Sequence, residues 1–520
     1  MTSVGASDAS GPSGAVGEAS RHPTGDAASA PLTRRRFLGL TGALAASSAV
    51  GCDRLPALLL GEDVRSDDVP FTSPTARRID LVSHVIGRLS FGARPGDYAR
   101  VLALATRPER AVERYIAEQL RPEAIEDGRV ERVLRRSTML DLPAGELYEY
   151  KGEVLLDALT RQALLRAVLS ERQLHEVMVE FWSDHFNIDA SKGDCRWLKA
   201  ADDRAVIRAH ALGRFPALLR ASATSPAMLW YLDGRVNRRR DDGDRPNENY
   251  ARELLELHTL GVRGGYTQGD VMEAARALTG WTVRSKGESS FGIGTVEFHP
   301  ELHDDGAKVV LGETIPAGLG KRDVDVLVEI VCAHPQTARH LATKLCRRFI
   351  ADEPPEAAVA RVAAAFRESG GDIRSTLATL FATPEFTGAR ETKLKRPFHF
   401  LVSALRAADA ATDAGPALQE YLTRMGHAPF QYPTPDGYAD EAGPWTSTLL
   451  WRWNFAMALQ RNRVAGTRVD AASLLARAGG ERALAAHFLR REASAEEWRA
   501  YQATDDGIAL LVASPPFQRF

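Results

Sequence analysis

The stretch from Arg245 to Gly261, RPNENYARELLELHTLG, is the strongest fold signal in the chain. Asn247 is suited to cap the N-terminus of a helix, and Gly261 suits the left-handed position just after a C-terminus. At 3.6 residues per turn, about three and a half turns lie between them. One face of this helix collects Tyr250, Ala251, Leu254, Leu255, Leu257 and His258. The sequence therefore predicts an amphipathic helix that buries this face.

The opposite face of the predicted helix is polar and carries Glu248, Asn249, Arg252, Glu253 and Glu256. Neighbouring carboxylates shift each other's pKa values and can act as one acid and one base, with Asn249 and Arg252 as contacts to an anionic substrate. Alternatively, Arg252 stands four residues from Glu248 and Glu256, which is the spacing of a surface ion-pair ladder. We predict that this helix supports a site in which Glu253 or His258 meets groups from other segments.

Composition predicts a mainly α protein without a nucleic-acid partner. Of the 520 residues, 44% are hydrophobic, and 66 Lys and Arg nearly balance 68 Asp and Glu, so the chain has no global basic field. Abundant Ala, Leu, Arg and Glu favour helix. We expect a large multi-helix domain over 77–520, with two lobes, 77–320 and 321–520, as an alternative. One small β-hairpin insertion is expected near 282–314.

The N-terminal segment predicts export. Residues 1–32 are rich in Ser, Gly, Ala and Pro and are expected to be disordered. Within 33–52, paired arginines precede an apolar run too short to span a membrane, which is typical of a twin-arginine signal; the alternative is a basic disordered tail. The run ends in a sequence similar to a lipobox, so Cys52 is either lipidated or lies near an ordinary cleavage site. Residues 53–76 are interpreted as a linker.

This targeting predicts a periplasmic, membrane-anchored or extracellular protein that contacts membrane only through the signal or a lipid on Cys52. Cys195, Cys332 and Cys346 follow the signal, and this odd number excludes a fully paired disulfide set. Buried thiols, or a bridge between Cys332 and Cys346, remain open. The twin-arginine route carries folded proteins and so permits a cofactor. A redox protein is a third hypothesis, but no haem or iron–sulfur cysteine spacing supports it.

Two further segments carry candidate site residues. Asp184 and His185 lie at the end of a predicted helix, and His303, Asp304 and Lys308 lie on a loop before a predicted strand. His and Asp ligate metals, so a divalent cation is compatible with His185, His303 and Asp304. The alternatives are a polar C-terminal turn for the first segment and an Asp-Asp-Gly hairpin turn for the second.

The candidate roles follow from these side-chain types. The candidate catalytic residues are Glu253, His258, His185, His303 and Asp304. The candidate substrate contacts are Asn249, Arg252 and Lys308. A long loop rich in Pro, Gly and aromatic residues, 431–445, either covers a site or caps a core.

Several of these motifs resemble those of a bacterial exported family, the domain-of-unknown-function eighteen-hundred family. The central signature is similar over Arg245–Gly261, Gly265–Gln268 and Ala277–Trp281. Other motifs are similar at His84–Pro95, Phe181–Asn187, His303–Lys308, Lys344–Asp352 and Ser514–Gln518, so the resemblance covers roughly 77–520. The family usually carries His-Asn-His where this chain has Ser183-Asp184-His185.

The resemblance implies an exported, largely helical protein, and it implies a second exported protein, similar to sulfatases and phosphatases, as a partner. It names no activity and no substrate. The sequence shows no serine nucleophile elbow, phosphate loop or dinucleotide fingerprint. Two hypotheses follow: a cell-envelope enzyme whose His/Asp/Glu site acts on an anionic or polymeric substrate, or a non-catalytic envelope binding or assembly factor whose polar motifs are structural networks.

Overall fold

The structure, a computed structural model, describes residues 69–135, 137–239, 245–285 and 292–520. The expectations for the disordered N-terminus, the export signal, Cys52 and most of the linker lie outside these residues. The described residues belong to one compact unit. None of the helices among them is long and apolar enough to cross a membrane.

Helices dominate the described residues, which confirms the mainly α prediction. The first twelve are α1 Leu81–Leu89, α2 Asp97–Leu102, α3 Pro108–Gln119, α4 Gly128–Leu134, α5 Ala144–Leu147, α6 Gly152–Leu169, α7 Gln173–His185, α8 Cys195–Asp202, α9 Phe215–Ala223, α10 Pro226–Tyr231, α11 Asn249–Glu256 and α12 Gln268–Ala277. A π-helical segment, Asp203–Arg208, follows α8 directly.

The remaining helices follow the strand-containing insertion. They are α13 Asp323–Ala333, α14 Pro335–Phe349, α15 Glu356–Glu368, α16 Ile373–Phe381, α17 Pro384–Gly388, α18 Pro397–Ala407, α19 Pro416–Arg424, α20 Leu449–Gln460, α21 Ala471–Ala478, α22 Glu481–Leu489, α23 Ala495–Gln502, α24 Gly507–Ala513 and α25 Pro515–Gln518. Many of these helices begin with proline at the first position, where its missing N–H has no helical partner to lose.

The insertion near 282–314 contains two antiparallel hairpins where the sequence predicted one. The strands are β1 Trp281–Val283, β2 Val296–Phe298, β3 Lys308–Val310 and β4 Glu313–Ile315, paired β1–β2 and β3–β4. Leu311 and Gly312 form the second hairpin's turn with φ of 53° and 83°, as a two-residue turn with left-handed residues requires. Asp304-Asp305-Gly306 lies before β3 and does not make that turn. A third short pair, β5 Ala411–Thr412 and β6 Thr467–Arg468, lies further along the chain.

Helix α11 is shorter than the sequence predicted. It begins at Asn249, and Asn247 Oδ1 accepts a hydrogen bond from the Asn249 N–H at 3.0 Å. At the other end the His258 N–H bonds to the carbonyl of Glu253, five residues back, which widens the last turn and ends the α-helical ladder. Gly261 has φ of 85°, which confirms the left-handed position expected after the helix.

Helix α7 runs through the core and positions the candidate site. Its apolar side chains, among them Met178 and Trp182, are buried. At its C-terminal end, His185 contacts the end of α11 through the carbonyl of His258 and contacts α14 through Lys344. Asp184 contacts Arg396, the residue before α18. The C-terminal ends of α7 and α11, the N-terminal end of α18 and the C-terminal half of α14 therefore meet at one place.

The three described cysteines are free thiols: Cys195 and Cys346 are buried, and Cys332 is partly buried. Burial raises the pKa of each thiol to about 12. A thiol with so high a pKa is a poor nucleophile, so these cysteines serve packing.

Candidate functional site

A polar cavity of about 310 Å³ opens where these four helices meet. This volume is within the usual range for small-molecule sites. Helix α7, helix α14 and the loop 428–442, which we call the wall loop, form its sides. Its lining residues are Phe181, Asp184, His185, Leu257, His340, Lys344, Arg347, Arg348, Arg396, Tyr432, Asp436, Gly437, Tyr438, Ala439, Asp440 and Glu441.

Lys344 is the cation of this cavity without an acidic partner. Its Nζ donates one hydrogen bond, to His185 Nδ1 at 3.0 Å, and forms no ion pair within 4.0 Å among the described residues. Burial lowers the pKa of Lys344 to about 8, although the more distant Asp184 and Asp440 act in the opposite direction. An ammonium has three N–H donors. Lys344 therefore keeps two donors for a ligand in the cavity.

Three uncharged imidazoles surround this lysine. Burial lowers the pKa of His185 well below its usual value, and lowers the pKa of His258 to about 3 and of His340 to about 4. Because His185 Nδ1 accepts from Lys344, its Nε2 carries the proton, which it donates to the His258 carbonyl at 3.0 Å. The His185 ring centroid lies 6.0 Å from that of His258 and 6.4 Å from that of His340. Neutral His185 thus orients the Lys344 amine without adding charge.

Asp184 supplies an acidic group on the same cavity wall. It forms an ion pair with Arg396 at 2.5 Å, and Glu180 forms a second ion pair with the same arginine at 2.8 Å. Burial raises the pKa of Asp184 to about 6; Arg396 opposes this rise and the nearby Glu180 charge adds to it. Glu180 also pairs with Arg348 at 2.9 Å. The cavity therefore holds a carboxyl group and an amine whose pKa values lie on either side of neutral pH.

The wall loop is fastened tightly to the end of α7. Asn187 Nδ2 donates to the carbonyls of Tyr432 at 2.9 Å and Thr434 at 2.8 Å. Gly437 has φ of 73°, and a Cβ atom there would lie 2.2 Å from the Asp184 carbonyl oxygen. Only glycine fits this position, because any side chain would collide with backbone. The sequence left two roles open for 431–445, covering a site or capping a core. In the structure, residues 432 and 436–441 of this segment line the polar cavity.

The structure brings together only part of the predicted set. His185 lines the cavity, and His258, which does not line it, contacts His185 through its backbone carbonyl. The other candidates on α11 face away from the cavity: Asn249 donates to the Leu232 carbonyl at 3.1 Å, and Arg252 pairs with Glu248 at 2.7 Å. Glu253 is half-buried and does not line the cavity, and burial raises its pKa.

Only one ion pair of the predicted ladder on α11 is present, between Arg252 and Glu248. Arg252 bonds to Glu248 and to Gln268, each at 2.7 Å. Glu256 accepts instead from the Tyr266 hydroxyl at 3.0 Å. These groups are half-exposed, so their contribution to stability is below about 1 kcal/mol.

His303, Asp304 and Lys308 form a second cluster that does not line the cavity. The ring of His303 contacts the Thr279 carbonyl at 2.9 Å through Nδ1 and Asp323 at 3.3 Å through Nε2. Buried Lys308 binds Asp323 at 2.5 Å, and Asp304 pairs with Arg276 at 2.7 Å. Every one of these side chains is engaged within the protein. The cluster therefore fastens the loop before β3 to its neighbours.

A family model described as a protein of unknown function (DUF1800) matches residues 84–519. The chain belongs to this family. The matched range contains every residue of the polar cavity. Searches of the curated proteins and of the solved structures found no match. The DUF1800 description states no activity.

In this DUF1800 member, no three His, Cys, Asp or Glu side chains of the described residues are arranged to hold a metal ion. At the cavity the reason is visible, because both ring nitrogens of His185 are occupied by Lys344 and the His258 carbonyl. At the second cluster, the carboxylate of Asp323 is shared between Lys308 and His303.

The principal residues that sequence reasoning missed as site residues are Lys344 and Arg396. Both come from the second half of the chain, where the periodic pattern indicated ordinary helices. Lys344 lies in a segment that resembles a family motif, and this was the one available signal. Nothing local distinguishes it from the solvated lysines common on helix surfaces. Its partner His185 stands 159 residues away in sequence.

Proposed function

We propose that this chain is an exported enzyme of the cell envelope that acts by acid–base chemistry on an anionic substrate, either a small molecule or the end of an anionic polymer. The polar cavity is the reactive centre. The observation that carries the proposal is the environment of Lys344, a cavity-facing amine whose single polar partner among the described residues is a neutral imidazole. Perturbed groups of this kind are concentrated at functional sites.

The charge arrangement favours an anionic ligand. Arg348 and Arg396 are compensated by Glu180 and Asp184, whereas Lys344 has no carboxylate within 4.0 Å among the described residues. A buried charge without a counter-charge is costly. An anion that enters the cavity supplies the missing partner and accepts the two free N–H donors of Lys344.

The two pKa values suit a division of roles. Lys344, with a pKa of about 8, is mainly protonated at neutral pH and acts as the proton donor. Asp184, with a pKa of about 6, is mainly ionised and acts as the proton acceptor. Activity is then expected to rise with pH near 6 and to fall near 8, because the acid must be protonated and the base ionised.

The first test measures the amine directly. Acetylation of the mature protein by an N-hydroxysuccinimide ester across pH 6–10, read by mass spectrometry, gives the rate at each lysine. The Lys344 rate is expected to reach half its maximum near pH 8, and exposed Lys321 provides the comparison. If the acetylation rate at Lys344 has the same pH dependence as the rate at Lys321, the proposal is contradicted.

The second test measures turnover. A panel of chromogenic esters carrying carboxylate, sulfate or phosphate groups is assayed with the wild type and with Lys344→Met, Asp184→Asn and Lys321→Met. Turnover is expected to fall by at least about 100-fold in the first two variants, since a positioned acid or base contributes 10²–10⁴-fold. Lys321→Met serves as the control. Equal turnover in all four proteins refutes the assignment.

A non-catalytic binding or assembly factor is the second candidate. The internally engaged cluster of His303, Lys308 and Asp323 favours it, because that predicted motif is explained without chemistry. Separate His185→Ala and His303→Ala variants discriminate between the two functions. Lost turnover with unchanged melting in His185→Ala supports the enzyme. Equal loss of melting temperature in both, with anion binding but no turnover in the wild type, supports the binding factor.

We further propose export by the twin-arginine route, with a lipid on Cys52 and a second exported sulfatase- or phosphatase-like protein as partner. The paired arginines within 33–52 support export, and the small residues before Cys52 support the lipid; the partner is proposed from the family resemblance. Changing Arg34 and Arg35 to lysine is expected to retain the protein in the cytoplasm. Cys52→Ser is expected to release it from the membrane fraction, and unchanged fractionation of both variants contradicts the proposal.

A further inference from the structure

A second, smaller cavity of about 60 Å³, which we call the annex, lies against the other side of α7. Asp184 and Tyr438 line both cavities, so the annex and the polar cavity adjoin at these two residues. Helix α6 contributes two small residues to the annex wall, Ala163 and Ala167. The position of the annex links it directly to the carboxyl group that we assign as the proton acceptor.

The annex is predominantly apolar. Buried Phe91 and Phe398 line it together with Val179. The charged side chains that reach it are mostly neutralised within the protein: Glu176 pairs with Arg208, and Lys199 pairs with Asp202 at 2.8 Å. Burial raises the pKa of Asp203, which favours its neutral form. The annex thus offers a ligand apolar surface more than charge.

One wall of the annex is held in an uncommon backbone conformation. Phe430 has φ of 63°, in the left-handed region that an aromatic residue rarely adopts. Its carbonyl accepts a hydrogen bond from the Ala190 N–H at 2.8 Å, and Lys199 Nζ lies 5.9 Å from its ring centroid. Such conformations persist only where the surroundings enforce them, and they are concentrated at ligand sites. The strained turn holds this ring against the annex.

We propose that the annex receives a short, unbranched apolar chain carried by the anionic substrate. The anionic group binds at Lys344, and the chain passes Asp184 and Tyr438 to fill the annex. This inference rests on the proposed function of the polar cavity. Scaled from a cavity of about 150 Å³ that binds benzene, about 60 Å³ accommodates roughly two to three carbon atoms. The substrate class is therefore a short amphipathic anion.

The test is a binding series of unbranched carboxylates from acetate to octanoate, measured by calorimetry on the full mature protein. Affinity is expected to rise about fourfold for each methylene that enters the annex, and then to level off after two or three. An affinity independent of chain length overturns the annex assignment. Loss of acetate binding in Lys344→Met tests the polar cavity separately, so failure of the proposed function and failure of this inference are distinguishable.

Two variants test where the chain lies. Ala163→Leu fills the annex and is expected to abolish the dependence on chain length while acetate binds as in the wild type. Ala158→Leu, on the same helix but outside the annex, is the matched control and retains the dependence. Phe430→Gly suits the left-handed backbone and removes the ring, which enlarges the annex. The affinity is therefore expected to level off at longer carboxylate chains than in the wild type.

The two variants act in opposite directions, so a folding defect in one leaves the other decisive. If the affinity of folded Ala163→Leu still rises with carboxylate chain length as in the wild type, the proposal is overturned. It is also overturned if the affinity of Phe430→Gly levels off at the same chain length as that of the wild type.

Discussion

Replacement of Lys344 by methionine tests the cost of holding this amine in the polar cavity. Burial lowers its pKa from 10.5 to about 8. At 1.36 kcal/mol for each pKa unit, this change corresponds to about 3 kcal/mol by which the folded state disfavours the charged amine. Methionine has a similar length and removes this cost. The variant loses the hydrogen bond from Lys344 to His185, which reduces this gain in stability by about 1 kcal/mol. The loss is no larger because water in the cavity can donate to His185 in place of the amine.

The sign of the pH dependence follows from the lowered pKa. Below pH 8 the lysine is protonated in both the folded and unfolded states, so the full cost is present. Between pH 8 and 10.5 the unfolded state binds more protons, and wild-type stability gains relative to the variant. The Lys344→Met protein is therefore expected to be about 2 kcal/mol more stable than the wild type at pH 7. The two are expected to be nearly equal at pH 10.

The assay compares melting temperatures of the two mature proteins at pH 7, 8.5 and 10. For a chain of this size, 2 kcal/mol corresponds to a shift on the order of 2 °C. Effects of other groups that titrate at high pH cancel in the difference between the proteins. Lys321→Met, at an exposed position, is the control and is expected to shift the melting temperature little at any pH. A Lys344→Met protein that melts below the wild type at pH 7, or whose difference is independent of pH, refutes the reasoning.

Three further substitutions test the surroundings of the cavity. Gly437→Ala is expected to destabilise the protein by more than 2 kcal/mol in thermal melts and to weaken anion binding. Gly426→Ala is the control. Gly426 has φ of 75° and no atom near the position of a Cβ, so this change is expected to cost only about 1 kcal/mol. Asp323→Asn leaves a buried lysine without its counter-charge and is expected to cost about 3–5 kcal/mol. Asp325→Asn, which removes a half-exposed ion pair with Arg220, is expected to cost below about 1 kcal/mol, and similar losses in both would contradict the buried pair. Asn187→Leu removes two hydrogen bonds to the wall loop and is expected to increase amide hydrogen exchange over 432–437, while unaltered exchange there would show that the loop is held by other contacts.

Local signals in the sequence predicted which helices and strands exist more accurately than the residues at which they begin and end. The helix after Asn247 and the left-handed Gly261 are present, but the α-helical ladder ends at Glu256. The α-helical ladder ends early because the His258 N–H bonds to the Glu253 carbonyl, five residues back, which widens the last turn. In the same way, alternation indicated strands near 282–314 without showing that two hairpins form.

The candidate site was predictable where side-chain type itself is informative. His185 stood out at the polar end of a predicted helix and His258 within an apolar helix face; the structure brings them into contact, and His185 lines the cavity. His303 and Lys308 stood out because polar side chains cluster on a loop before a predicted strand, but they belong to an internal network around Asp323. Residue type marks a segment as polar and does not distinguish a ligand-facing group from an internally bonded one.

The sequence by itself determined which segments are helical and which of their faces are apolar, because helix hydrogen bonds are local and the apolar period is written in the order of residues. It also determined the family, through motifs that are contiguous in the chain. Only the tertiary structure decided that Lys344 and Asp184 share one cavity. Their pKa values depend on removal from water and on charges brought near by long-range packing, and neither quantity is a property of the local sequence.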